Sequence, residues 1–267
     1  MKINDLLKLE SNYTLDEKKL ILADILGCKK LDLILITEDI DKNIVKKYQK
    51  LIKSDIPVQY LLKKSVFLGN LFYVDKNVLI PRFETEYLVI ETDKLIKKYL
   101  KKDLSIVDIG TGSGVIAISL KKLNSSAFVS AVDISKKALK VAKKNALLNQ
   151  VSIDFIHGDM LKKLNKKYDV LISNPPYLYE DEKIEDKVLK YEPHLALFGG
   201  LKYYEEMLKN AKDVLNERSI IAFEIGSKQE NDVKKIIKKY YPDSKVIAKK
   251  DLNGLDRYIY ILNNIKS

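Results

Sequence analysis

Cysteine is almost absent from this chain. Cys28 is the only one in 267 residues, which excludes an intramolecular disulfide and a cysteine-built zinc cluster. Histidine is nearly as scarce, with only His157 and His194, so a structural metal site is not expected. No apolar run approaches the roughly 20 residues of a membrane span. The opening Met1-Lys2-Ile3-Asn4-Asp5 lacks the charged and apolar regions of a signal peptide. A cytoplasmic protein without membrane attachment is the expectation. An arginine-rich arm and interleaved basic and aromatic residues are also missing. What is present is an apolar content of 46%, which places the chain among globular proteins of one large or two modest domains. The net charge of +11 favours acidic partners. Its lysines, however, fall in pairs such as Lys46-Lys47 and Lys238-Lys239 along helix-like segments, where they serve solubility.

Residues 1 to 64 repeat apolar positions at helical spacing, as in Leu20, Ile21, Ala23 and Leu26. Thr14 or Asp16 can cap one helix, Gly27 can end it, and Thr37 with Asp41 offers another start. A small helical bundle without catalytic grouping is expected. Residues 65 to 80 change to strand periodicity around Gly69-Asn70, and read as a β-hairpin joining two domains. Arg82, Glu84, Thr85 and Glu86 then stand at the entrance of a helix running to about residue 101. They can cap it or line a cofactor pocket.

From Leu104 the pattern alternates strand and helix, which predicts an α/β fold with a mostly parallel sheet. The first strand runs into Gly110-Thr111-Gly112-Ser113-Gly114, a loop in which backbone can approach a ligand closely. Its spacing is neither the dinucleotide pattern nor a P-loop. The second strand ends at Asp133, placed to accept from two ribose hydroxyls. The third leads to Asp159 and Met160, an acid and a thioether that suit an adenine. The fourth, Tyr168 to Ile172, is followed by Asn174-Pro175-Pro176-Tyr177. Two prolines forbid further sheet pairing and stiffen the tip. An asparagine amide can accept from a planar nitrogen group while a tyrosine ring packs over it. A helix Tyr203 to Asn216, a strand Ser219 to Ile225, a helix Gln229 to Tyr240 and two last strands at 244–249 and 257–262 complete the reading.

With these residues in place, the chain resembles the seven-stranded, Rossmann-like class I methyltransferases that use S-adenosyl-L-methionine. More closely, it is similar to the protein-(glutamine-N5) methyltransferases of peptide chain release factors. The diagnostic stretches are residues 78–86, running from Val78 to Glu86, and 191–200, from Tyr191 to Gly200. Phe83 and Met160 depart from the family pattern. The resemblance implies a catalytic domain over 81–267, a hairpin linker over 65–80, and a recognition domain over 1–64. It implies that Gly110 to Gly114 hold the methionine part of the donor, Asp133 the ribose, and Asp159 with Met160 the adenine. Asn174 and the Pro175 carbonyl would accept from the amide of the glutamine in the Gly-Gly-Gln motif of class 1 release factors, with Pro176 and Tyr177 shaping that site. A monomer without a stable nucleic-acid partner is implied as well.

Two other readings stay open at this point. Asn-Pro-Pro-Tyr also suits an adenine-N6 methyltransferase acting on a flipped base, although no separate basic recognition domain is evident. A non-catalytic adaptor retaining the fold is the other, against which the intact Asn174, Asp133 and glycine loop argue.

Overall fold

The computed structural model describes residues 1–100 and 103–265. These form two compact units, one of residues 1–64 with 185–191, the other of the described residues within 65–184 and 192–265. The first unit holds α1 (Ile3–Leu7), α2 (Leu15–Leu26), a 3-10 helix (Lys30–Leu35), α3 (Lys42–Ile52) and α4 (Val58–Leu62). Thr14 caps α2 by accepting from the Glu17 N–H, and the Glu17 carboxylate accepts back from the Thr14 N–H at 2.8 Å. Gly27 ends α2 at φ +69°. Asp41, not Thr37, caps α3 by accepting from the Asn43 N–H. Leu6, Ile21, Leu22, Tyr48, Ile52 and Val58 form the core of this unit. The later segment 185–191 is tied to it by Asp55, which takes Lys190 and the Tyr191 hydroxyl.

The second unit opens with β1 (Ser65–Phe67) and β2 (Asn70–Phe72), an antiparallel hairpin. Its turn lies one residue earlier than the Gly69-Asn70 expected from sequence. Leu68 and Gly69 occupy it at φ +45° and +71°, so a leucine takes a left-handed position that sequence reasoning gives to glycine. The Glu86 carboxylate accepts from the Leu68 N–H at 2.8 Å and holds it there. The hairpin is not a free connector. Phe67 and Phe72 are buried edge to face, with centroids 6.1 Å apart, in the core of the second unit.

Then follow α5 (Phe83–Tyr99), β3 (Ser105–Ile109), α6 (Val115–Leu123), β4 (Phe128–Asp133), α7 (Lys136–Leu148), β5 (Asp154–His157) and β6 (Tyr168–Ser173). After α8 (Asp186–Tyr191), which belongs to the first unit, come α9 (Lys202–Asn210), β7 (Leu215–Glu224), α10 (Glu230–Tyr240), β8 (Lys245–Lys250) and β9 (Asp256–Asn263). The seven strands β3 to β9 pair in the order β5-β4-β3-β6-β7-β9-β8, with β9 antiparallel to both neighbours. Alternate residues sort onto two faces. Ile106, Val129, Val170, Ile172 and Ile220 pack with Leu88 and Ile96 of α5 and with α6; Val107, Val132, Leu171, Ile221 and Phe223 pack with Tyr204 and Met207 of α9 and Ile237 of α10.

The helix expected from Tyr203 to Asn216 stops sooner. It ends at Asn210, and β7 begins at Leu215, four residues before the expected Ser219. Leu215 pairs with Tyr168, whose N–H donates to the Val214 carbonyl at 2.8 Å. The intervening Asn216 is fixed by Asp169, which accepts from its amide at 2.7 Å. Polar residues thus carry the strand beyond its apolar stretch, where periodicity gives no signal.

Candidate active site

Strand order reverses at β3, with β4 on one side and β6 on the other. That crevice, at the carboxyl ends of parallel strands, is where open α/β sheets bind ligands. A cleft lies there, lined among others by Gly110, Gly112, Asp133, Asp159, Met160, Asn174, Pro175 and Pro176. Eight of the residues singled out by sequence therefore converge, from the tips of four strands. Thr111, Ser113, Gly114 and Tyr177 are not among the lining residues. They hold the loops that are.

Gly110, Gly112 and Gly114 all have positive φ, which accounts for glycine at every second position. A Cβ at Gly110, which lines the cleft, would meet nothing within 4 Å, so the space beside it is open. Gly114 instead faces Ala142, where a Cβ would come within 3.1 Å. Thr111 turns inward and donates to Asp108 at 2.6 Å. The Ala117 N–H donates to the same Asp108 oxygen, and the other has no hydrogen-bond partner among the described residues. Burial pushes the Asp108 carboxyl up to about 7, against the pull of these two donors. The Ser113 carbonyl accepts from Asn145 at 2.8 Å.

Asp133 anchors the neighbouring tip. One carboxylate oxygen accepts from the Gly112 N–H and the other from the Ser135 N–H, each at 2.8 Å. Burial raises its carboxyl above the ordinary range and the two N–H groups oppose that shift. Each oxygen keeps acceptor capacity beyond its one backbone donor, as a pair of sugar hydroxyls requires. Asp159 is engaged by Lys162. Met160 sits at φ +46° and lines the cleft.

The Asn174-Pro175-Pro176-Tyr177 tip is braced from three sides. The Asn174 amide donates to Thr85 Oγ1 at 3.1 Å, and Thr85 donates to Glu224 at 2.7 Å. The Tyr177 hydroxyl donates to the other Glu224 oxygen at 3.4 Å, so Tyr177 faces a carboxylate rather than the cleft. Burial and then Glu224 hold the Tyr177 hydroxyl far above its ordinary range. Glu224 is itself fully buried and pushed up to about 7, opposed by Thr85 and by the Arg257 guanidinium. Behind the tip, Gln229 donates to the Tyr177 carbonyl at 2.7 Å and accepts from the Gly226 N–H at 3.0 Å. On the third side, the Gly199 and Gly200 N–H groups donate to the Leu178 carbonyl, and the Leu178 N–H donates to the Leu197 carbonyl. The Pro176 carbonyl stands where a Cβ of residue 199 would lie, 2.4 Å away.

This joins the two diagnostic stretches. Leu197, Gly199 and Gly200 hold the tip, and Glu192, 4% exposed, accepts from the Ile80 N–H at 3.1 Å and from Arg82 at 2.5 Å. Sequence reasoning missed the parts played by Glu192, Gln229 and Glu224. A signal was available for the last, since Glu224 is the acid that follows the apolar stretch Ile220 to Phe223 at a strand's end, as Asp133 closes β4.

Similarity to known proteins agrees with this geometry. The family described as "Methyltransferase small domain" matches residues 88–252. The chain is 34% identical to a release factor glutamine methyltransferase of Bacillus cereus, over 97% of this chain and 99% of that protein. It is 43% identical to one of Flavobacterium psychrophilum, over 79% of this chain and 76% of that protein. Among solved structures, a T. thermophilus 16S rRNA N2 G1207 methyltransferase in complex with AdoMet and guanosine superposes with a TM-score of 0.57. It is 14% identical, covers 75% of this chain and 50% of its own, and shares the fold alone.

Proposed function

We infer the reaction from one premise: this chain belongs to the release factor glutamine methyltransferases. It moves a methyl group from S-adenosyl-L-methionine to the side-chain amide nitrogen of a glutamine in a peptide chain release factor. The target is the glutamine of the Gly-Gly-Gln motif in class 1 factors. The observation that carries the reading is the Asn174 carboxamide, tethered through Thr85 and lining the same cleft as Asp133 and the glycine loop.

The donor supplies an electrophilic methyl group on a sulfonium. Gly110 and Gly112 offer backbone and space beside it, Asp133 accepts from the ribose, and Asp159 with Met160 borders the adenine. Thr111, Ser113 and Gly114 contribute by shaping that loop. Asn174 Oδ1 and the Pro175 carbonyl accept from the two amide hydrogens of the glutamine. An amide nitrogen is a weak nucleophile and far too weak an acid for a side chain to deprotonate, so no general base is assigned before transfer. The C–S bond breaks as the N–C bond forms, S-adenosyl-L-homocysteine leaves, and the methylated amide, positively charged until then, gives up one N–H proton to water. Positioning does the work instead, and orientation of this kind can remove about 7–11 kcal/mol of barrier. The two acceptors also stabilise the positive charge that grows on nitrogen. Pro176 and Tyr177 keep the tip rigid.

Residues 1–64 are assigned the grip on the release factor. Leu31, Ile34 and Leu35, at 80%, 85% and 76% exposed on one short helix, support that reading. The protein is read as a cytoplasmic monomer without a stable nucleic-acid partner; among the described residues no helix is long and apolar enough to cross a membrane. Mass spectrometry of a release factor incubated with the protein and donor tests the proposal. One added methyl on the Gly-Gly-Gln glutamine is expected, and label appearing in nucleic acid instead would overturn it.

A further inference from the structure

Glu224 is a fully buried carboxylate, and the methyl transfer just described gives it no role. It ends β7 at 1% exposure and faces Thr85, 2% exposed, in the first turn of α5. Isolated buried carboxylates are costly, and one kept at a site needs a reason. Its surroundings are built to hold it. Arg257 lies beside it, itself paired with Asp251 at 3.2 Å, and Thr85 and Tyr177 donate to its two oxygens.

We propose that Glu224 and Thr85 are positioning residues that set which edge of the Asn174 carboxamide faces the glutamine. The argument is one of hydrogen-bond direction. Above about pH 7, where Glu224 is ionised, it only accepts, so the single hydroxyl proton of Thr85 is committed to it. The Thr85 oxygen can then only accept from its other neighbour. Asn174 must therefore turn its NH2 to Thr85, as it does at 3.1 Å. Its Oδ1 is left as the edge not taken by Thr85, on a residue that lines the cleft. Without this chain an asparagine amide can rotate by half a turn at little cost, and a donor would then meet the donor groups of the substrate. The relay, which rests on the glutamine reading above, thus converts a symmetric-looking side chain into a one-sided acceptor. It draws on three elements, the start of α5 and the ends of β6 and β7; Thr85 and Glu224 act through Asn174 alone, without touching the substrate.

The test uses the full chain, S-adenosyl-L-methionine and a release factor. Thr85→Val keeps shape and removes the hydroxyl; Thr85→Ser keeps the hydroxyl and removes the methyl. Thr85→Val should lower kcat for methyl transfer roughly 10- to 100-fold, the value of one hydrogen bond to a charged partner. Donor Kd by calorimetry should stay within about twofold, since the glycine loop and Asp133 are untouched. Thr85→Ser should restore most of kcat, and Thr85→Ala should lose as much as Thr85→Val. An active wild type matched by Thr85→Val overturns the relay alone. So does equal loss in the Ser and Val variants, or loss of donor binding along with kcat in Val and Ala alike, because either marks a packing role. A wild type silent on release factor instead defeats the glutamine reading, and the relay falls with it.

Discussion

Gly199→Ala puts the strongest demand on the bracing of the substrate tip. A Cβ there would stand 2.4 Å from the Pro176 carbonyl oxygen and 2.3 Å from Tyr203 Cε2. Ordinary contact begins at 3.4 Å, so each neighbour must retreat by about 1 Å. The Tyr203 ring can swing aside. The Pro176 carbonyl cannot, because it is backbone between a proline and Tyr177, whose own carbonyl is held by Gln229. The displacement passes into Pro175, which supplies one of the two proposed acceptors. An error of about 1 Å in a positioning group can lower a rate about 100-fold. The strain itself should cost about 1–3 kcal/mol, as overpacking does. The assay is kcat with release factor, donor Kd by calorimetry, and a thermal melt of the same preparations. A large fall in kcat, a nearly unchanged Kd and a Tm lower by roughly 2–12 °C are expected. An alanine variant that turned over and melted like the wild type would refute the idea that Gly199 exists to admit that carbonyl.

Three further outcomes follow from the same geometry. Asn174→Ala should abolish methylation and leave donor binding largely intact, as followed by labelled-methyl transfer and calorimetry. Asp133→Ala should weaken donor binding roughly 10- to 100-fold, the range for lost hydrogen bonds to a charged acceptor; an unchanged Kd would remove Asp133 from the ribose site. Glu224 has a folded pKa of about 7 against an ordinary 4.5, so the folded state binds its proton more tightly and stability falls as pH rises through that window. Glu224→Gln lacks this loss. Its stability relative to wild type should therefore rise by about 3 kcal/mol between pH 4.5 and 7, read by denaturant melts, and a difference independent of pH would show that Glu224 is not held in this way.

Much of the site was legible because it is local. Gly110 to Gly114, Asp133, Met160 and Asn174 each sit directly at a strand tip, and the alternation of strands and helices places such tips on one edge of a sheet. What sequence did not disclose is pairwise and distant. Thr85 and Glu224 are 139 positions apart, and Ile80 and Glu192 are 112 apart, so no window contains both partners. Tyr177 shows the limit from the other side. A ring beside an asparagine reads as a stacking surface, yet its hydroxyl finds a buried carboxylate and turns away from the cleft. Element ends failed where polar residues extended a strand, at Asn216, or where tertiary support overrode local preference, as Glu86 does for Leu68 in the hairpin turn.

The central claim is that a proline-stiffened tip holds a carboxamide by two acceptors and aims its nitrogen at the donor. A crystal structure of the protein with S-adenosyl-L-homocysteine and a Gly-Gly-Gln peptide measures this directly. Asn174 Oδ1 and the Pro175 carbonyl should both lie within hydrogen-bond reach of the glutamine amide nitrogen, with the Asn174 NH2 still on Thr85. A glutamine amide held by any other acceptors, with Asn174 turned from it, would contradict the account.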